Sequence, residues 1–389
     1  MLAPRDHLPV VYLLDARHSA AEARAAAAVQ GLSQALWLSQ RHSRLGWLGE
    51  RYRPALPTAD AARMAWQNSQ PVLLPAMAAA PLPAHQADIA AAQALLHAVL
   101  DGENVEDRMQ QAPYAGRLAH QFELLGTSHD QGDLQEIVKL EFDAVAGGAA
   151  AEDLWVKLSW LSYEEDDASL RFRFSFGMDH YEDVAADPVR QGYAAALTEA
   201  LFPESALISA NVRLNGFLRE ILGGRDFAYV ERIVYFNAPE GGAQFHHDVE
   251  RGHLGVVFAQ LDGRTAWLAL STEQLLDEIQ GFLKRPGADD LLRGGIRQGK
   301  ARARLIKLAG DRTALEELLN QGDSGPAEQL LNRTPAFSRQ LVEGGHAFIL
   351  HPGDVILLPQ HDAARCAWHA VYCLDEVPGE ALSFAIRHT

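Results

Sequence analysis

"GGAQFHHDVERGHLGVVFAQLDGRTAW", residues 241 to 267, holds three histidines and an aspartate in its first half and then turns into an apolar, β-like run. If the segment is a strand, His246 and Asp248, two residues apart, leave the same face and can grip one ion. Outward from this stretch, the last 160 or so residues contain eight short candidate strands: "YVERIVYFNA", "GAQFHHD", "LGVVFAQL", "RTAWLAL", "HAFILHP", "DVILLP", "WHAVYCL" and "LSFAIRH". Short strands punctuated by Gly, Pro and Asp predict a barrel or jelly roll rather than an open parallel sheet.

A helical insert is expected between the fourth and fifth strands, about 271 to 342. Capping-box patterns open two of its helices, Ser271 with Gln274 and Thr313 with Glu316. Upstream, "LWVKLSWLSY" and "SLRFRFSFG" alternate with period two around an acidic turn, which predicts a β-hairpin. A helix follows at "DPVRQGYAAALTEALF", with Pro188 in its first turn. Before that, after a short strand at "VVYLLD", the chain is alanine-rich with apolar residues three or four apart, the helical period, in "SAAEARAAAAVQGLSQALWLSQRH" and "ADIAAAQALLHAVL". The fold class is therefore α+β. Residues 1–130 form a mainly helical N-terminal region, 131–210 a hairpin and helix extending the barrel, and 211–389 a barrel with its helical insert.

A chain of 389 residues with 48% hydrophobic composition can fill a sizeable core. No long uncharged apolar run or signal-peptide pattern is present, so a soluble, cytoplasmic protein without membrane contact is expected. Two cysteines, Cys366 and Cys373, exclude a disulfide scaffold and a four-cysteine zinc site. The net charge of -17 argues against nucleic acid as a partner.

The His-x-acid triplet alone carries little weight, since about two are expected by chance in a chain of this composition. Two occur, His246 with Asp248 and His180 with Glu182. Context separates them: His246 lies on the second candidate strand and His369 on the seventh, where a rolled sheet can bring them together. Two ligands from one strand face and a distant histidine make the facial triad of non-haem Fe(II) oxygenases, which keeps coordination positions open.

The ordered segments "FHHD", "FAQLDGRTAWL", "LHPGDVILLP" and "WHAVY" together resemble the Jumonji C and cupin-like Fe(II)- and 2-oxoglutarate-dependent oxygenases. The matching residues are His246 and Asp248; Gln260, Gly263, Arg264 and Trp267; Pro352, Gly353, Asp354 and Pro359; Trp368 and His369. The first 200 residues carry no such match. The resemblance implies a double-stranded β-helix, Fe(II) held by His246, Asp248 and His369, and 2-oxoglutarate as cosubstrate. It further implies hydroxylation of a peptide, protein side chain or small molecule. A homodimer is also compatible with the chain.

Two departures from the family pattern matter. The segment "VERGHLGVV" after Asp248 is longer than in the family, so a bulge or short loop is expected there, and His247 or His253 stands as an alternative ligand to His246. Thr265 occupies the position of the lysine that binds the far carboxylate of 2-oxoglutarate. Its hydroxyl can donate one hydrogen bond but supplies no countercharge. Arg264 is adjacent but alternates to the other face, Arg387 on the last strand offers a carboxylate-binding fork, and Tyr235 offers a hydroxyl. A metal-dependent cupin-type enzyme without 2-oxoglutarate, and a non-enzymatic metal-containing binding protein, are the competing readings.

Overall fold

The computed structural model describes residues 13–15, 45–47, 53–129, 135–145, 151–161, 171–178, 187–237, 242–320, 325–375 and 377–389. Two short strands, β1 (Leu13–Asp15) and β2 (Leu45–Trp47), pair with each other. They are followed by β3 (Val72–Leu74), β4 (Phe122–Ser128), β5 (Glu136–Ala144), β6 (Ala151–Leu161) and β7 (Arg171–Met178). The eight strands read from the C-terminal half are β8 (Phe227–Asn237), β9 (Gly242–His246), β10 (His253–Gln260), β11 (Thr265–Ser271), β12 (Ala347–Leu350), β13 (Val355–Asp362), β14 (Arg365–Cys373) and β15 (Gly379–His388).

These eight divide into two antiparallel groups. One has the order β8-β15-β10-β13 and the other β12-β11-β14-β9, joined where β13 turns into β14. Strands adjacent in sequence thus fall mostly in different groups, the pattern of a jelly-roll fold. The β6–β7 hairpin extends the first group through β7–β8 pairing, and β5 and β4 lengthen it further.

Three apolar clusters follow from the alternation of these strands. Val256, Phe258, Trp267, Leu358 and Val371 fill the space between the two groups. On the outer face of the larger sheet, Phe236 and Phe384 pack with Trp66, Leu96, Leu197 and Leu218 from the helices Ala59–Gln67, Gln86–Leu100, Pro188–Leu201 and Val212–Ile221. On the outer face of the smaller one, Leu270 and Trp368 pack with Phe282 and Phe337 of the helical insert. A fully buried Phe contributes about 1.5–3 kcal/mol. The insert and the N-terminal helices thus clamp the barrel from opposite sides. Among the described residues, no helix is long and apolar enough to cross a membrane.

The mainly helical N-terminal region also contributes strands: β3 pairs with β13 inside the barrel sheet, and β4 is a seven-residue strand. Strand β13 runs on through Pro359 to Asp362 and returns at once in β14, so the two are joined by a tight turn. The Ser271–Gln274 capping box forms, but the helix Arg312–Leu319 is capped by Asp311, whose carboxylate accepts from the Ala314 amide at 3.1 Å. His180 and Glu182, and the alanine-rich helix expected from Ser19, lie outside the described residues.

Candidate metal centre

His246 ends β9 and pairs directly with His369 of β14, so the two imidazoles face the same interior, with ring centroids 4.2 Å apart. This pairing depends on Gly242. A Cβ there would lie 1.9 Å from the Val371 carbonyl oxygen, so only glycine lets β9 approach β14. Asp248, just past the strand end, sits between the rings: its Oδ1 is 3.5 Å from His246 Nε2 and its Oδ2 is 3.5 Å from His369 Nε2. Two ligands at right angles with bonds of about 2.1 Å lie roughly 3 Å apart, so this spacing suits a metal ion.

The tautomers agree. His246 Nδ1 lies 2.7 Å from the Gln244 carbonyl and His369 Nδ1 3.5 Å from that of Ala367; Nδ1–H donation there turns the Nε2 lone pairs inward. His369 also stacks on Trp267, at 5.4 Å and 21° between planes. The Trp267 indole N–H donates to the Thr265 hydroxyl at 2.9 Å, and that hydroxyl donates to Gln260 Oε1 at 2.8 Å. Gln260 Nε2 donates in turn to the Asp262 carbonyl at 2.7 Å. The Gln-x-x-Gly-x-x-x-Trp turn is thus a hydrogen-bonded brace behind one candidate ligand, His369.

The other shared turn has a similar structural task. Gly353 adopts φ 89° with Ala79 packed against it, and the Asp354 carboxylate accepts from the Ala76 and His351 amides and pairs with Arg53. That turn ties the N-terminal region to the barrel.

The three ligands open into a cavity of about 130 Å³ between the two sheets. Ile233, Val256, Phe258, Leu358 and Val371 form apolar walls, and Tyr235 and Ser383 bring hydroxyls. His246 also borders a groove of about 530 Å³ between β9, Trp368 and the insert residues Leu319, Asn320, Glu328 and Leu331. Asn332 Oδ1 accepts from the Phe245 amide at 2.8 Å, so the insert also fixes β9.

Of the residues proposed for the cosubstrate, Tyr235 lines the cavity, whereas Thr265, Arg264 and Arg387 are not among its lining residues. The Thr265 hydroxyl is engaged in the brace. Arg264 turns outward to Asp375, its Nε 3.0 Å from Oδ1. Arg387 shares the parity of Ser383 and Ala385, which do line the cavity, but its guanidinium donates to the Arg251 carbonyl and covers Gly252. The alternative ligands also separate from the triad. His247 turns edge-on to Trp368 at 4.8 Å, and His253 joins a different cluster.

Sequence reasoning missed Glu231 and Glu250, which line the same cavity. A signal existed in "YVERIVYF", where Glu231 shares strand parity with Ile233 and Tyr235. Burial, reinforced by the neighbouring Glu231 carboxylate, pushes Glu250 up to about 7. Burial also acts to raise Glu231, but the adjacent His253 outweighs it and holds that carboxyl below its ordinary value.

The donor set fits a divalent metal ion. The fit to 2-oxoglutarate is weaker: among the described lining residues there is no Arg or Lys, and three carboxylates, Glu231, Asp248 and Glu250, face the space a dianion would share.

No protein-family model matches the sequence, and no curated protein matches it. Among solved structures, the chain is similar to an oxidoreductase of the 2OG-Fe(II) oxygenase family from Burkholderia pseudomallei, at 10% identity and a TM-score of 0.29, covering 86% of this chain and 93% of the other. It is also similar to SnoN, a non-haem α-ketoglutarate-dependent epimerase from nogalamycin biosynthesis, at 9% identity and a TM-score of 0.35, covering 85% and 82%. The ribosomal oxygenase YcfD of Escherichia coli gives 13% identity and a TM-score of 0.21, with 70% of this chain and 43% of that one covered. At these TM-scores the likenesses carry no weight for the chemistry, which has to come from the side chains.

Proposed function

We propose that this chain is an Fe(II)-dependent oxygenase of the 2-oxoglutarate-using kind, built on a double-stranded β-helix and acting on a peptide, protein side chain or small molecule. The observation that carries the reading is the convergence of His246, His369 and, just past the end of β9, Asp248 at a cavity between the two sheets that apolar residues line in part. Two histidines and one carboxylate on one side of an ion leave the opposite positions for other ligands. A ferrous ion held there, with 2-oxoglutarate as co-reductant, supplies the activation of dioxygen that the side chains cannot.

The chain's own residues do the rest. The two imidazoles are oriented by backbone carbonyls and by the Trp267 brace, and the apolar walls keep water from the reacting centre. Tyr235 and Ser383 place hydroxyls on the cavity wall where a carboxylate would lie. The groove beside His246, flanked by the insert, is where a substrate would lie, with Leu319, Leu331 and Trp368 as apolar contacts and Asn320 and Glu328 as polar ones.

The carboxylate-rich lining favours a second reading, a metal-dependent cupin-type enzyme that does not use 2-oxoglutarate. Anaerobic addition of Fe(II) and then 2-oxoglutarate separates the two. The first predicts a weak visible charge-transfer band and, on admitting air, succinate formation. Fe(II) binding without either response rejects it in favour of the second. Absence of metal binding, or binding unchanged in His246→Ala and His369→Ala, rejects both.

A further inference from the structure

Beside the triad, in the same cavity, Glu231, Glu250 and His253 each offer one ligand atom, and these atoms lie within 4.8 Å of one another. Two β-bulges bring them there. On β8 the register against β15 jumps from Arg232–Phe384 to Val230–Ala385, which leaves Glu231 as the extra residue. Its φ of 48° places a glutamate in the left-handed region, at a cost of about 1–2 kcal/mol. On β10 the register against the same strand jumps between His253 and Gly255. Bulges re-aim side chains, and these two aim a carboxylate and an imidazole at one point.

His253 is the informative member. Its side chain is 1% exposed, and its Nε2 approaches Glu231 Oε1 at 3.3 Å without the alignment of a hydrogen bond. A buried ring nitrogen that meets one carboxylate oxygen at 3.3 Å, beside a second carboxylate, sets three donor atoms where a cation can replace the imidazole proton. One imidazole and two carboxylates form a donor set suited to Mn(II), Fe(II) or Zn(II).

We propose that Glu231, Glu250 and His253 bind a second divalent cation next to the one assigned to His246, Asp248 and His369. The site stands on its own residues; only its consequence rests on the oxygenase reading. A cation there would offset the two carboxylates and let the cavity accept an anionic cosubstrate despite Thr265 at the lysine position.

The test is a count of bound Mn(II), by equilibrium dialysis with elemental analysis, on the chelator-stripped full chain. Two equivalents are expected in the wild type. One should remain in Glu231→Gln or His253→Gln, the other being weakened at least tenfold, and one in His246→Ala. A single wild-type equivalent, lost in His246→Ala and kept in Glu231→Gln, overturns the second site while the triad stands. A single equivalent with the reverse dependence supports the second site and overturns the triad. No bound ion at all overturns both. A wild-type count of one already rules out two occupied sites, and the variants, each first checked for native circular dichroism, then assign that one ion.

Discussion

Thr265 shows how much of a residue's surroundings is hidden in sequence. Its position in "GRTAW" is that of a cosubstrate lysine, and only the fold reveals that the hydroxyl lies between Gln260 and the Trp267 indole. A hydrogen-bond partner five residues away across a tight turn has no sequence signature. Thr265→Val keeps the shape but leaves the indole N–H and Gln260 Oε1 buried without that partner, at about 1–3 kcal/mol. Urea unfolding should show this loss, with 2-oxoglutarate affinity unchanged. A drop in cosubstrate affinity at constant stability would put Thr265 back at the cosubstrate. By contrast, the two-residue spacing of His246 and Asp248 suggests a shared strand face, but β9 ends at His246 and Asp248 reaches both imidazoles from the segment that follows.

At the scale of strands, alternation exposed the eight segments of the barrel, but not the pieces that lack it. Three-residue β3 is too short to show a period, and β13 continues through Pro359 and the polar "QHD", where composition suggests a loop. Of the two bulges, the one after His253 falls in the lengthened "VERGHLGVV" where a bulge or short loop is expected, whereas the one at Glu231 leaves no mark in its own strand, since a bulge is a mismatch between two strands. The approach of β9 to β14 is the element-level requirement of the metal centre, and it makes a sharp prediction. Gly242→Ala sets a methyl against the Val371 carbonyl, pushes β9 away and separates His246 from His369. Mn(II) affinity should fall at least tenfold. Gly216→Ala, in the helix Val212–Ile221 with nothing within 4 Å of the new methyl, is the control and should leave metal binding intact. Equal affinity in the two variants would mean that the β9–β14 contact does not set the site.

For the molecule as a whole, the net charge of -17 is carried mostly at the surface, but one concentration of acid lies inside. Glu204, in the short turn Pro203–Ser205, and Glu380, on β15, are both fully buried where the N-terminal helices meet the barrel. Burial above all pushes both carboxyls up, Glu204 to about 7, and for Glu380 the Glu204 charge is the next largest cause. A carboxyl whose folded value is raised binds its proton more tightly in the folded state than in the unfolded one. Stability from this group is therefore complete below its ordinary value of 4.5 and declines as pH rises toward 7. The two layers should loosen on the alkaline side, the reverse of ordinary acid denaturation. Glu204→Gln keeps the hydrogen-bonding shape without the charge, so at pH 8 its melting temperature should exceed the wild type's by about 2–4 °C. At pH 4 the two should coincide. A melting profile across that range with the same slope in both proteins would show that Glu204 ionises freely where it sits, and that the junction between helices and barrel is not held by its proton.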